Sequence, residues 1–220
     1  MTALSICAQD CIAVKDGSND MLFERIEASG IGLTIGSIGG SKNNNITFRD
    51  CHMHKTGKGI YMKFRGNGGV VSNVTYENIV MDQPQQWPIW IGPAQQSDST
   101  DLCAPNGGCS ICWPESSLCL GMKSLYADIL FKNITIISPA QSTGVILANE
   151  TTPMQNVVFE DVRVIGTEPH GKDPWEDVDY YVCEGVANGV ARGTTHPVPK
   201  CFKDETDATL AKQKKQQEDK

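Results

Sequence analysis

The feature that most restricts the fold of this chain is a short pattern, centred on an aromatic residue, that recurs five times. The copies read MLFERI at 21–26, NITFRDC at 45–51, NVTYENI at 73–79, ILFKNI at 129–134 and NVVFEDV at 156–162. Their aromatic residues are 25, 28, 55 and 28 residues apart, and 55 corresponds to about two periods partly filled by a cysteine-rich insertion. A repeat of about 27 residues is typical of solenoid proteins.

Each copy alternates apolar with other residues, and a second short β-like run follows ten to fourteen residues later. The second runs are at 33–35, 60–62, 89–91 and 145–147. Alternation with a period of two in short, β-branched runs predicts strands, not helices. Repeated short strands joined by Gly, Asn and Asp turns predict an all-β parallel β-helix, in which each coil stacks its inward side chains on the next. A β-sandwich is the alternative, but its hairpins would not need an anchor at a fixed period.

The domain organisation follows from the same pattern. We expect one β-helix domain over residues 1–202, with a Cys/Pro-rich insertion at about 93–122. The segment 203–220 is highly charged with little apolar content, which predicts a disordered tail or a frayed helix. In the repeat, polar residues stand two places after each aromatic residue and predict a ladder at a corner turn; they are Arg25, Asp50, Asn78, Asn133 and Asp161.

Cysteine content and sequons favour an extracellular protein. The chain has nine cysteines, and four Asn-x-Ser/Thr sequons begin at positions 45, 73, 133 and 149, which together are typical of secreted glycoproteins. Cys183 and Cys201 are the predicted disulfide pair, and an odd total leaves at least one thiol unpaired within the chain. Cys109-x-x-Cys112 permits zinc or disulfides, and its Pro/Gly/Ser-rich setting favours disulfides. The N-terminus lacks the basic n-region and the apolar h-region of a signal peptide, so we expect the natural start to be missing.

Charge excludes general nucleic-acid affinity, because the net charge is -7 and such affinity requires a basic surface. No apolar run approaches the length needed to span a bilayer. Between residues 42 and 65, however, there are six basic residues and one acidic residue. This local excess predicts contact with a polyanion.

Alignment of the second runs predicts a site on one face of the solenoid. If Ile12, Leu33, Ile60 and Ile89 point inward, then Ala13, Thr34, Tyr61 and Trp90 form an outward row, followed by Lys15, Gly36, Lys63 and Gly92. At the start of these runs, Asp10, Ile31 and Lys58 would stack in turn. Lysines bind carboxylates and aromatic rings stack on pyranose faces, so this face suits an acidic sugar chain.

Ordinary structural roles are open for the same residues. Asp10 could cap a turn before its strand, and Lys58 and Lys63 could be solvated edge charges. Tyr61 and Trp90 could be surface aromatics or be covered by the insertion. His52 and His54 are two apart on a strand and so share a face, but no carboxylate or cysteine cluster accompanies them in the sequence. We therefore expect no metal site.

Three stretches resemble consecutive motifs of glycoside hydrolase family 28, the polygalacturonases and their pectin-degrading relatives. They are QDCIAV at 9–14, GIGLTIGS at 30–37 and GIYMK at 59–63, and the resemblance covers about 7–202. The family implies a right-handed parallel β-helix and inverting hydrolysis of galacturonan. It also implies an N-terminal half, with a third carboxylate, that is not present in this sequence.

The chain departs from the family's motifs, which read Asp-Asp-Cys, Gly-His-Gly and Arg-Ile-Lys. The second aspartate matches Asp10 and the lysine matches Lys63, but Gln9, Ile31 and Tyr61 stand where the family has aspartate, histidine and arginine. A one-residue deletion would let Asp10 match either aspartate. Inverting hydrolysis needs a protonated carboxyl and a second carboxylate about 6.5 to 9.5 Å away. Gln9 can hydrogen-bond a substrate but cannot transfer a proton, and loss of the general acid commonly reduces the rate by about 10² to 10⁴-fold.

The expected function is therefore a secreted polygalacturonase-type glycosidase with Asp10 as a catalytic carboxylate. Lys63, Tyr61, Lys58, Gln9 and Trp90 are the expected substrate-binding residues. The expected partner is an acidic polysaccharide such as pectin; we expect no cofactor, no nucleic acid, no membrane and a monomer. The alternatives are a catalytically inactive pectin-binding β-solenoid and a lyase, which would need a Lys or Arg base and usually calcium.

Overall fold

The computed structural model describes residues 3–4, 10–64, 68–94, 123–140, 142–166 and 181–207. Within these residues the regular structure consists of strands. Their bounds are β1 Ala3–Leu4, β2 Asp10–Val14, β3 Asn19–Glu24, β4 Ile26–Ala28, β5 Gly32–Ile38, β6 Lys42–His54, β7 Ile60–Phe64, β8 Val70–Asp82, β9 Ile89–Pro93, β10 Leu125–Ile137, β11 Gly144–Leu147, β12 Met154–Ile165, β13 Tyr181–Glu184, β14 Val186–Ala187, β15 Val190–Gly193 and β16 Lys203–Thr206. The Cys/Pro-rich insertion lies largely outside the described residues.

The strands form two sheets that alternate along the chain. The large sheet has the order β1-β4-β6-β8-β10-β12-β15-β16, with β3 paired to β6 and β14 to β12; the small sheet has the order β13-β11-β9-β7-β5-β2. Adjacent strands in both sheets are parallel. Each coil from β2 to β15 therefore adds one strand to the small sheet and one or two to the large sheet. This confirms the parallel β-helix and excludes a sandwich built from hairpins.

The recurring aromatic residues form one continuous stack inside the helix. Successive ring centroids in the series Phe23, Phe48, Tyr76, Phe131, Phe159 are 4.8, 4.7, 5.5 and 4.9 Å apart. From Phe48 onward these rings are fully buried. Tyr76 pairs directly with Phe131, so the 55-residue interval is one coil that carries the insertion, and the sequence interpretation of two periods is wrong.

The predicted corner ladder is present. Its five members all have φ between 50° and 57°, the left-handed region that Asn and Asp tolerate better than other non-glycine residues. The Asn78 amide donates to Asp50 Oδ1 at 2.8 Å, and the Asn133 amide donates to Asn78 Oδ1 at 2.9 Å. Sequence analysis missed a second ladder at the start of the same strands, where Asn45 donates to Asp20 Oδ1 at 2.7 Å and Asn156 to Asp128 Oδ1 at 2.8 Å.

The C-terminal segment is ordered further than predicted. Residues 203–206, expected to begin the disordered tail, form β16 and pair with β15. They are held there because Phe202 packs 5.1 Å from Phe159 and because Cys201 is disulfide-bonded to Cys183, as predicted. Cys51 is a buried free thiol.

The described part of the chain contains no helix of the length and apolarity that membrane crossing requires.

Candidate functional site

A carboxylate and an ammonium group meet on the outer side of the small sheet. Asp10 begins β2, and Lys63 lies on β7, two coils further on. The Lys63 Nζ is 3.5 Å from Asp10 Oδ2, and the two side chains are 13% and 19% exposed. Thr34, on the intervening strand β5, donates its hydroxyl to Asp10 Oδ1 at 2.9 Å. Each carboxylate oxygen of Asp10 thus has its own partner, and the pair is accessible to solvent.

The strand register agrees with the sequence alignment along the first outward row, but it shifts at Asp10 and again between Ile35 and Ile38. The predicted alignment of Gly36 with Lys63 lies in that second shifted stretch. The row Ala13, Thr34, Tyr61, Trp90 is in register across four strands. A bulge between Asp10 and Ile12 places Asp10 beside Gly32, not beside Ile31 as predicted. The bulge offsets Asp10 along the sheet from the neighbouring pair Ile31 and Lys58.

Lys58 is enclosed rather than solvated. It is 4% exposed, and its Nζ lies 4.9, 5.4 and 5.2 Å from the ring centroids of Tyr61, Trp87 and Trp90. The Nζ also donates to Gln86 Oε1 at 2.6 Å. Burial, reinforced by the charge of Lys63 and partly opposed by Asp10, lowers the pKa of Lys58 to about 7. Lys58, expected to bind the substrate and with a solvated edge charge as the alternative, is therefore a buried amine in an aromatic cage.

The expected sugar-stacking platform is also closed. Tyr61 and Trp90 are 3% and 1% exposed and pack with Trp87, Val145 and Leu147 into a second apolar cluster outside the small sheet. Trp87 meets Trp90 edge-on at 5.2 Å, and the Trp90 indole donates to the Pro93 carbonyl at 2.9 Å. Because these faces are covered, Tyr61 and Trp90 serve packing here and do not form an open platform. Sequence analysis missed Trp87, whose signal was its position three residues before Trp90.

Two glycines of the 30–37 stretch allow the coils to approach closely at the site. Gly32 has φ +116°, and a Cβ there would lie 2.1 Å from the Gly59 carbonyl oxygen. Gly36 has φ +121°, and a Cβ there would lie 2.1 Å from the Lys63 carbonyl oxygen. Only glycine fits these positions, which set the distance between β5 and β7 and therefore the placement of Lys63.

The remaining predictions for this face concern Gln9 and the basic segment 42–65. Gln9 lies outside the described residues. The basic segment does not form one patch, because Lys42 and Arg49 lie on β6 in the large sheet while Lys63 lies in the small sheet. Arg49 is also paired with Glu24 on the neighbouring strand, with an Nε to Oε2 distance of 3.2 Å.

Comparisons with known proteins agree with the parallel β-helix. The family model of the glycosyl hydrolases family 28 matches residues 3–176. The chain is 25% identical over 169 residues to an exopolygalacturonase of Arabidopsis thaliana, covering 74% of the chain and 34% of that protein. It is 34% identical over 102 residues to a probable endopolygalacturonase E of Aspergillus niger, covering 44% and 26% respectively. It is 26% identical over 161 residues to endopolygalacturonase II of Aspergillus niger, covering 71% and 40%.

No solved structure matches the chain. The chain spans between 26% and 40% of the length of these three curated relatives. The family match, however, extends over most of the chain and includes every strand from β1 to β12. Together with the parallel coils, this match shows that the chain belongs to family 28 of the glycosyl hydrolases.

Proposed function

We propose that this chain is part of a secreted hydrolase that cleaves the glycosidic bonds of galacturonan with inversion, and that Asp10 acts as one of its two catalytic carboxylates. The single observation that carries the proposal is the Asp10, Thr34 and Lys63 arrangement on the outer side of the small sheet. The named activities of the relatives agree with it.

Both oxygens of Asp10 face hydrogen-bond donors. The Thr34 hydroxyl donates to one oxygen and the Lys63 ammonium group approaches the other, so the carboxyl group is placed as an acceptor. A group placed as an acceptor suits the base that activates the attacking water. The general acid would then be a group other than Asp10.

Lys63 is suited to hold the substrate. Its side chain is 13% exposed beside Asp10, and lysine binds carboxylates as a point charge. A uronate bound there would lie next to the Asp10 carboxylate, where a water molecule attacks its anomeric carbon. Lys63 also lies 4.4 Å from the Tyr61 ring centroid, which restricts its direction.

A second candidate function, a pectin-binding solenoid without activity, is favoured by the residues around Asp10. Within the described part of the chain, Asp10 has a hydrogen bond from Thr34 and an ion pair with Lys63, and neither contact involves a second carboxylate. Ile31 and Tyr61, at the positions where the sequence resemblance expects histidine and arginine, are apolar or buried. Such a protein would keep the salt-sensitive contact of Lys63 with a polyanion.

Secretion and N-glycosylation are part of the proposal. The Cys183–Cys201 disulfide supports an oxidising compartment. Asn45 and Asn133 of the sequons donate their amides within the ladders, so glycans at these positions would have to project from ordered turns.

The test is release of reducing ends from polygalacturonate by the chain of residues 1–220 and by Asp10→Asn. Asp128→Asn is the matched control, because other members of its ladder, such as Asn156, are asparagine and the ladder accepts either residue. We expect Asp10→Asn to lower the rate by about 10² to 10⁴-fold and Asp128→Asn to leave it unchanged. Circular dichroism establishes that all three proteins are folded.

The outcomes separate the two functions. Equal activity in Asp10→Asn and the parent chain would contradict the catalytic role. No activity in a folded parent chain would contradict hydrolysis by residues 1–220 themselves. Binding of polygalacturonate by that inactive chain, weakened by salt and by Lys63→Met, would be the result that the binding function predicts.

A further inference from the structure

Two histidines and a glutamate converge on the outer side of the large sheet, away from the site on the small sheet. His52 and His54 lie on β6, and Glu27 lies on the neighbouring strand β4 in register with His52. His52 Nδ1 and His54 Nε2 are 3.6 and 3.1 Å from the same Oε2 of Glu27. One ligand atom from each of the three residues lies within 4.8 Å of the others.

A second carboxylate faces the other nitrogen of His54. Asp82, in register with His54 on β8, places Oδ2 at 3.8 Å from His54 Nδ1. Asp82 is thus the carboxylate nearest to Nδ1, on the side of the ring opposite to Glu27. Histidines that bind metals commonly have such an outer carboxylate, which fixes the ring and the tautomer.

We propose that Glu27, His52 and His54 bind a divalent transition-metal cation, with zinc as the best-suited ion. In a tetrahedral site with zinc bonds of about 2.0 to 2.1 Å, ligand atoms stand about 3.3 Å apart. The nitrogen-to-oxygen distances of 3.1 and 3.6 Å are close to that value. Two imidazoles and one carboxylate form a common zinc ligand set, with water in the fourth position, whereas calcium and magnesium prefer oxygen ligands.

Exposure and charge both allow a cation to enter. The side chains of His52, His54 and Glu27 are 38%, 46% and 25% exposed, so the ligand atoms are reached directly from solvent. With neutral histidines, Glu27 and Asp82 give the cluster two negative charges. Sequence analysis expected no metal site because Glu27 and Asp82 are 25 or more positions from the nearer histidine in the sequence. The stacking of successive coils brings these carboxylates next to the histidines.

The bound ion would connect successive coils. Glu27, the histidine pair and Asp82 lie on β4, β6 and β8, three neighbouring strands of the large sheet. An ion that binds the folded chain and not the unfolded chain stabilises the fold. The proposed role is therefore structural, and it does not depend on the activity of the small sheet.

The experiment is calorimetric titration of the chain of residues 1–220 with zinc chloride at neutral pH. Accessible thiols are alkylated first, because cysteines also bind zinc. We compare the parent chain with His52→Gln, His54→Gln and Asp82→Asn. His196→Gln, an exposed histidine elsewhere, controls for loss of a histidine, and Asp50→Asn controls for loss of a charge on the same sheet.

We expect one zinc ion per chain. His52→Gln and His54→Gln should each weaken binding by at least about 100-fold, and Asp82→Asn, as an outer carboxylate, by about 10- to 100-fold. Zinc should raise the unfolding temperature of the parent chain and of both controls but not of His54→Gln. No zinc uptake by the folded parent chain, or equal binding by His54→Gln and His196→Gln, would overturn the proposal.

Discussion

Replacing Lys58 with methionine should stabilise the protein, and more so at neutral than at alkaline pH. Burial is the main reason that the pKa of Lys58 falls from 10.5 to about 7, with Lys63 adding to the effect and Asp10 opposing it. The unfolded chain keeps the ordinary, higher pKa. Between about pH 7 and pH 10.5 the unfolded state therefore binds more protons, and the free energy of unfolding rises with pH across this window.

The magnitude follows from the two pKa values. They differ by about 3.5 pH units, and each pH unit corresponds to about 1.4 kcal/mol. Placing Lys58 in its folded site therefore costs about 4 kcal/mol at pH 7 and about 2 kcal/mol at pH 9. Methionine avoids this cost but loses the hydrogen bond to the exposed Gln86, worth about 1 kcal/mol. We expect Lys58→Met to raise the free energy of unfolding by about 3 kcal/mol at pH 7 and by about 1 kcal/mol at pH 9.

The assay is urea denaturation followed by circular dichroism at both pH values. The parent chain, Lys58→Met and Lys42→Met are compared, since Lys42 is an exposed lysine and its replacement should show no such pH dependence. Taking the difference between variant and parent at each pH removes the contribution of other groups that titrate in this range.

The opposing effect is the attraction between the ammonium group and the three surrounding rings, each contact being worth about 2 kcal/mol or more when desolvated. If this attraction exceeds the desolvation penalty, Lys58 stays charged in the folded state. Lys58→Met would then be less stable than the parent chain at pH 7, with no change in the difference at pH 9. That result would refute the reasoning.

Two further predictions concern the fold. Gly32→Ala should lower the free energy of unfolding by more than about 3 kcal/mol, because it combines backbone strain with a clash against the Gly59 carbonyl; Gly17→Ala, which has φ +77° but open space around it, should lose only about 1 to 2 kcal/mol. Equal losses in urea denaturation would contradict the close-approach argument. The double substitution of Cys183 and Cys201 by alanine should lower the free energy by about 3 kcal/mol, from the loss of an 18-residue cross-link; unchanged stability under the same assay would show that the cross-link contributes nothing.

The sequence predicts the interior of this fold well because inward positions repeat. The 28-residue spacing from Phe48 to Tyr76 and from Phe131 to Phe159 reflects one physical requirement. Each coil must bury an aromatic ring against the ring of the next coil. The corner ladder is predictable for the same reason, since Asp50 and Asn78 occupy the same left-handed turn in successive coils. The interval before Phe131 was misinterpreted because an insertion lengthens a coil without adding one.

The outer face is less predictable because its residues do not repeat. Asp10 and Lys63 were expected on one face from strand register alone, and the structure brings them to 3.5 Å. The bulge after Asp10, however, has no signal in the alternation of apolar residues. The covering of Tyr61 and Trp90 by Trp87 depends on the path of a turn, which the periodicity of strands does not describe.

Lys58 and Lys63 show why position within a coil, and not residue type, decides the chemistry of this face. Both are lysines near Tyr61, and Lys63 lies on the open side beside Asp10 while Lys58 is enclosed by three rings. An enclosed amine with a pKa of about 7 is only partly charged at neutral pH, so it contributes little to attracting a polyanion. The proposed attraction of this face for a uronate therefore depends mainly on Lys63. Because Lys63 also contacts Asp10, the proposed substrate contact and the contact to the proposed catalytic carboxylate share a single ammonium group.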